Sequence, residues 1–418
     1  MEFTIDRDVA QSAISFASMA VASKSPQPIM EMLRIEAKGS QVGFSGTNSA
    51  LYIEVWVEAE EVKSEGAFCA NSLLASLLPD FKPGELVFKT EKMLTLTQGK
   101  TKNRFAIASA EEFPKKPALE NFVSIDRQKF VRALEVCSIA LSNPNRADMP
   151  ATQGFNINPH LDAISTSDGD QVVYYPIELE GNIAIPAGSY LTSMLPRLRS
   201  AEDLRVSIGS SNWVGFEASG WEIYVNQKQG NFPDLSAIIK RAEEVEPALK
   251  VMVDVAEVKR ILSKAAKLSD VALSSGRLHH LAINRDGNEL SFQMTAHDIG
   301  SMHEVLEYAE MEGRERYRIL VHPKILKEVF DVTNSDKLTL QFYQPSNPFL
   351  VKDPTDDYTY VQVAMKLDNE AEILAKGEED KAVKKGEKEK APELESELIP
   401  ETSLGDDDVR ELEEVSDF

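Results

Sequence analysis

Apolar and polar positions repeat along this chain in three similar stretches, each an alternating segment, then a polar cap, then a run apolar on one helical face. The opening FTIDRDVAQSAISFASMAV from Phe3 recurs as FVSIDRQKFVRALEVCSIAL from Phe122, Ile5-Asp6-Arg7 matching Ile125-Asp126-Arg127 at an offset of 120. A third copy, MVDVAEVKRILSKAAKL from Met252, sets Val253-Asp254 a further 128 residues on. Each copy predicts a strand, an Asp N-cap and an amphipathic helix. In copy two Phe130, Ala133, Leu134, Cys137 and Leu141 share a face; in copy three Val258, Ile261, Leu262, Ala265 and Leu268 do.

A second element recurs inside each copy: CANSLLASLLPDF from Cys69, IPAGSYLTSMLPRL from Ile185 and LVHPKILKEVFDV from Leu320. Each predicts a strand end and a short helix. Alternating segments such as GELVFKTEKMLTLTQG, DLRVSIGSSNWVGFEAS and KLTLQFYQPSNPFLV follow, punctuated by Gly, Asn and Ser as antiparallel hairpins require. The expectation is an α+β protein, with two helices and about eight strands per copy. Copies one and two both close on Phe-Pro, which places domains at 1–119, 120–246 and 247–367. The alternative is a set of unrelated α+β domains.

Charge changes this picture at the C-terminus. The 418 residues carry a net charge of −23. Residues 368–418 hold 19 acidic and 7 basic side chains, so about half of the excess lies there. That segment has no sustained apolar period and is expected to be a disordered acidic tail. Val409, Leu412, Val415 and Phe418 stand at spacings that also allow a short partner-binding helix. The tail is expected to repel stray DNA, so that deleting residues 368–418 raises non-specific binding at low salt.

Within the repeats, cations gather on helix faces. Arg260, Lys264 and Lys267 lie opposite the apolar face of the copy-three helix, and Arg132 does so in copy two. Copy one instead carries Ser12, Ser15 and Ser18 there, with Lys24 as its nearest cation. A solvated helix face is one reading; non-specific phosphate contact is the other. No recognition-helix, zinc-finger or single-strand stacking pattern points to base readout.

Catalytic signatures are missing. His160, His279, His280, His297, His303 and His322 form no metal-ligand spacing, and no Walker loop, G-x-S-x-G elbow or dinucleotide fingerprint occurs. The loop TSDGDQ, with Asp168 and Asp170, hints at a calcium turn but lacks the closing Glu. Cys69 and Cys137 read as small buried apolar residues. The expectation is a non-enzyme without cofactor or metal, placed in the cytoplasm because no membrane span or apolar leader is seen.

The residues resemble the bacterial DNA polymerase III beta subunit, the DNA sliding clamp, over positions 1 to 367. The similarity is carried by the opening from Met1 through Arg7 to Lys24 and Pro28-Ile29, and by Phe-Pro after RFAIASAEE. The Ser167-Asp168-Gly169 loop, GNFPDLSAII and SNPFLVKDPTDDYTYVQVAMKL complete it. The resemblance implies a head-to-tail homodimer whose six domains close a ring, with helices lining a hole for duplex DNA. A ring holds by topology, so a net-acidic protein with few basic helix positions is compatible with DNA.

The resemblance further implies a pocket for a short peptide from the replicative DNA polymerase, the clamp loader and other proteins with clamp-binding motifs. Its walls would be Thr152, Ser167, Gly169, Val172, Pro233, Ile238, Leu278, Ser346, Val361, Val363 and Met365. The alternation of Val361, Val363, Met365 and Leu367 onto one face fits such a wall and fits plain core packing equally. Asp170-Gln171 stand where the family often has a basic pair, Ala364 where it has Pro, and Ala237 where it has Arg. Ala187-Gly188 replace basic residues before the second helix of domain two, which moves contacts with DNA to Arg197 and Arg199. For the ring joint the matching residues are Phe105 on one subunit with Ala272 and Leu273 on the other. Two rival readings remain: a phage- or mobile-element-type clamp scaffold with altered partners, and a hydrolase centred on Asp168 and Asp170.

Overall fold

A computed structural model describes residues 1–142, 149–209, 211–235, 244–273, 280–296, 299–306, 309–345 and 347–365. Its elements are helices and antiparallel sheets, as an α+β reading requires. By contacts the described chain forms two compact units: residues 1–168, 173–232 and 355–359 make the first, and 169–172, 233–354 and the stretch from Tyr360 the second.

Copy one opens with β1 (Glu2–Asp6) and α1 (Arg7–Ser18). The Asp6 carboxylate accepts from the N–H groups of Asp8 and Val9, satisfying donors the first turn leaves free. Strands β2 (Met32–Lys38), β3 (Gln41–Thr47), β4 (Leu51–Glu58), β5 (Glu61–Ser64) and β6 (Gly66–Asn71) follow, then α2 (Leu74–Leu77). The copy ends with β7 (Glu85–Thr90), β8 (Leu94–Gln98), β9 (Thr101–Phe105) and β10 (Ile107–Ser109). One sheet runs β5-β1-β7-β8-β9, with Phe3 stacked on Phe88 at 4.7 Å on its buried face. Gly46 lets α1 settle on β3: a Cβ there would lie 2.2 Å from the Ala17 carbonyl oxygen.

Copy two comprises β11 (Val123–Ser124), α3 (Arg127–Cys137), β12 (Asn156–Asn158), β13 (Ala163–Ser167), β14 (Gln171–Pro176), α4 (Gly188–Ser200), β15 (Arg205–Ile208), β16 (Trp213–Ala218) and β17 (Trp221–Asn226). Asp126 caps α3 as Asp6 caps α1. Strands of the two copies merge into one nine-stranded sheet, β10-β6-β2-β3-β4-β17-β16-β15-β11, joined where Tyr52 faces Tyr224. Repeat boundaries in sequence are therefore not breaks in hydrogen bonding.

Copy three holds β18 (Leu249–Asp254), α5 (Val255–Leu273), β19 (Leu281–Asp286), β20 (Glu289–Ala296), β21 (Gly300–Leu306), β22 (Glu310–Gly313), β23 (Arg316–Val321), α6 (Pro323–Val332), β24 (Lys337–Phe342), β25 (Phe349–Lys352) and β26 (Thr359–Gln362). Its strands order as β26-β25-β24-β18-β22 and β21-β20-β19-β23. Asp254 caps α5 through the Glu257 N–H at 2.8 Å. Val258, Ile261, Leu262 and Ala265 are fully buried, as their period predicts. Two helices per copy are found among the described residues, with ten, seven and nine strands against the expected eight or so. The acidic segment 368–418, its terminal helical spacing included, lies outside the described residues.

Candidate nucleic-acid interface and partner groove

The basic positions divide into held and free. On α5, Arg260 and Lys264 both reach Glu304 on β21, at 3.2 and 2.5 Å. The Lys264 hydrogen bond leads in pulling the Glu304 carboxyl below the usual range, with Arg260 adding to it. Lys267, a turn further along, is exposed and makes no ion pair among the described residues. α5 thus presents a mixed surface, two cations tempered by one carboxylate and a third uncompensated.

In the first unit Arg132 donates to Asp356 at 2.7 Å and lies 3.7 Å from Glu135, with only 15% of its side chain accessible. Arg199 is exposed and pairs with Glu135. Arg197 lies over the Phe16 ring, 4.3 Å from its centroid, and burial draws its pKa down. Lys24 is exposed beyond α1, whose outer face shows Asp8, Ser12 and Ser15. At the expected DNA-contact positions, copies one and two therefore offer less free positive charge than α5 of copy three. Gly188 has a packing reason to be Gly: a Cβ would meet Leu141 at 2.7 Å and the Gln153 carbonyl at 2.9 Å.

The expected pocket residues fall in both units. In the second, residues 169–172 pack with the chain beyond β26: the Val363 N–H donates to the Asp170 carbonyl at 2.9 Å and the Met365 N–H to Leu320 at 3.0 Å. Val172 and Val361 are buried, whereas Val363, Met365 and Pro233 are half-buried and offer apolar surface. Gly169 turns this segment with φ +98°, which favours Gly. In the first unit Thr152 and Ser167 are buried, Ser142 Oγ lying 2.6 Å from Thr152 Oγ1 and 3.4 Å from the Ser167 carbonyl. Ile238, Leu278, Ser346, Ala237 and Leu367 lie outside the described residues.

Simple alternation does not describe the last strand. Tyr360, Val361, Gln362 and Ala364 are all buried, because both faces are covered. Gln171 is likewise buried: its Oε1 lies 2.9 Å from the Tyr360 hydroxyl and its Nε2 donates to Glu328 at 3.2 Å. Of the pair that stands where the family often has basic residues, Gln171 is interior, a role that sequence reasoning missed and that the apolar run following it could have signalled.

Phe105 sits half-buried on β9, an edge strand whose outer backbone groups face no neighbour in the sheet. Ala272 and Leu273 end α5. Cys69 and Cys137 are free and buried, and burial pushes the Cys69 thiol up to about 11, well away from a reactive thiolate. Among the described residues no group of three or more His, Cys, Asp or Glu is placed to hold a metal, and no helix is long and apolar enough to cross a membrane.

These repeated α+β domains, two helices each on antiparallel sheets, define the sliding-clamp fold, shared with the DNA polymerase beta subunit of Streptococcus pyogenes at a TM-score of 0.80 and 18% identity. That likeness covers 88% of this chain and 100% of the other; the Bacillus subtilis sliding clamp gives 0.78 at 18%, covering 88% and 99%. Residues 1–117 match the model of the DNA polymerase III beta subunit, N-terminal domain. The beta sliding clamp of Bacillus subtilis is 21% identical over 393 residues, 87% of this chain and 99% of that one, and that of Lactococcus lactis is 20% identical over 387. The chain is thus similar over nearly its whole length to the beta sliding clamps of bacterial DNA polymerase III, and its first 117 residues match that family's N-terminal domain. That similarity is to a non-catalytic clamp and leaves the hydrolase reading of Asp168 and Asp170 without support.

Proposed function

We propose that two copies of this chain close head to tail into a ring around duplex DNA and hold the replicative DNA polymerase on its template, raising processivity. The three copies, 1–119, 120–246 and 247–367, would be the ring's repeating domains. The observation that carries this reading is the repetition of one capped helix, with Lys267 free, Arg260 and Lys264 held by Glu304, and no base-reading element beside them. Such a surface contacts phosphates weakly and without sequence preference, so it permits sliding. Retention then has to come from topology.

The half-buried Val363, Met365 and Pro233 beside residues 169–172 would seat an apolar anchor of a partner peptide, while backbone groups fix its direction. Polymerase, clamp loader and other proteins with a clamp-binding motif would compete for it. Because Gln171 is committed to the interior, peptide preference would rest on Asp170 and on the apolar residues. Primer extension on a circular single-stranded template, with the cognate polymerase and loader, tests the assignment. Products should lengthen severalfold when the protein is added, and Val363→Ala with Met365→Ala should abolish the gain; unchanged lengths on adding the protein would contradict the assignment.

A further inference from the structure

A concentration of unpaired positive charge lies away from α5, around the β8–β9 hairpin. Residues 82–104 hold six cations, Lys82, Lys89, Lys92, Lys100, Lys102 and Arg104, against Glu85 and Glu91, in a chain whose net charge is −23. All six cations are exposed. Strand register gathers them. Arg104 faces Thr95, which faces Lys89, and Lys102 faces Thr97, so Lys89, Lys102 and Arg104 share the solvent face of the sheet while Leu94 and Leu96 fill the other. Gln98 binds both backbone groups of Lys82, at 3.0 and 2.7 Å, and so sets Lys82 beside the hairpin turn that carries Lys100. Lys89 is shared between Glu2 and Glu91, but Lys82, Lys92, Lys100, Lys102 and Arg104 have no ion-pair partner among the described residues.

We propose that this basic hairpin face is the seat of the chain's own acidic C-terminal segment, residues 393–418, which covers it against other polyanions. The segment carries eleven carboxylate side chains and one cation, Arg410. Five uncompensated cations complement it in sign and offset about half of its net charge of −10. The intervening residues 366–392 have a contour of up to about 90 Å, so tether length does not prevent the contact. Held by charge alone, the contact forms at low ionic strength and loosens as the Debye length shrinks from about 10 Å at 0.1 M salt to about 3 Å at 1 M. It differs from general repulsion of DNA by the tail, because it requires this face and no other.

Zero-length carbodiimide cross-linking of the full chain, read by mass spectrometry, tests it. At 50 mM salt, carboxylates of residues 393–418 should couple mainly to Lys82, Lys92, Lys100 and Lys102, with yields falling at least fivefold at 500 mM. Coupling spread over all exposed lysines, concentrated on Lys264 and Lys267, or confined to lysines 376–390 of the intervening stretch would overturn the proposal. A second measurement separates seating from repulsion. Removing residues 393–418 should raise binding of a 30-base-pair duplex severalfold at low salt, and a further Lys92→Glu, Lys100→Glu change at turn positions should cancel the rise. An undiminished rise in that variant would show that the segment acts without this seat.

Discussion

Lys116 lies in the connector between copies one and two and contacts one carboxylate from each, Glu54 on β4 at 2.9 Å and Glu222 on β17 at 3.0 Å. Only 8% of the Glu54 side chain is accessible, and its other partner is the Ser45 hydroxyl at 3.2 Å. Lys116→Met keeps the aliphatic stem and removes the cation, so Glu54 is left charged in a site that water barely reaches. Stranding one member of a buried pair costs about 3–5 kcal/mol. Lys116 itself is 40% accessible, so solvent screens the pair, and the expected loss is discounted to about 1.5–2.5 kcal/mol. Adding Glu54→Gln removes the stranded charge and should restore about half of that. Urea unfolding followed by tryptophan fluorescence reads the effect directly, because Trp56, Trp213 and Trp221 are the chain's three tryptophans and all belong to the first unit. A loss below about 0.5 kcal/mol for Lys116→Met, the range of ordinary surface changes, would refute the reasoning. Additive losses in the double variant would refute it equally.

The same cluster should make the first unit sensitive to alkali. Burial, then the Glu54 charge, pushes the Tyr52 hydroxyl up to about 12, and burial with the Glu222 hydrogen bond also raises Tyr224. For Lys116, burial opposes but the Glu54 and Glu222 hydrogen bonds outweigh it and raise the pKa. Groups raised in the fold contribute stability that is complete below their unfolded pKa and lost as pH rises through the folded one. The urea midpoint should therefore hold up to about pH 10, fall towards pH 12, and fall less in Tyr52→Phe, with an equal fall counting against Tyr52. Gly46→Ala should cost about 1–3 kcal/mol, because the Ala17 carbonyl has to move, whereas Gly209→Ala, with nothing within 4 Å, should be nearly silent; equal midpoints would dismiss the contact. Lys267→Gln should lower the salt dependence of duplex binding by about one counterion and Arg132→Gln by much less, because Asp356 already neutralises Arg132; matching slopes would remove α5 from the DNA surface. Phe105→Ala should shift sedimentation towards monomer, and an unchanged dimer mass would exclude that ring joint.

Local features were readable from sequence. The Asp caps at 6, 126 and 254 and the apolar faces of α3 and α5 follow from one turn of helix at a time, and the structure has them where the pattern puts them. Long-range pairing was not readable. Nothing local says that Tyr52 will face Tyr224 and merge two copies into one sheet, because strand register is settled by partners more than 150 residues apart. The same holds for Arg132, whose helix position predicts an exposed cation while Asp356 holds it from a distant loop. Gly188 looked like a lost basic residue, yet the Gln153 carbonyl at 2.9 Å and the Leu141 side chain at 2.7 Å crowd the space that a Cβ would take. Around the candidate partner groove, alternation alone left a pocket wall and core packing equally open, and it did not reveal that Tyr360, Gln362 and Ala364 are buried between the alternating positions.

Topological retention is the account's most direct test. The protein is loaded by a clamp loader onto nicked circular duplex DNA, isolated by gel filtration at a salt concentration that removes non-specific contacts, and the circle is then cut once. A ring predicts stable association with the circle and release from the linear product within minutes, while ends blocked by bound protein restore retention. Equal retention before and after cutting, or loss from the intact circle at the same salt, would contradict enclosure of DNA by this chain.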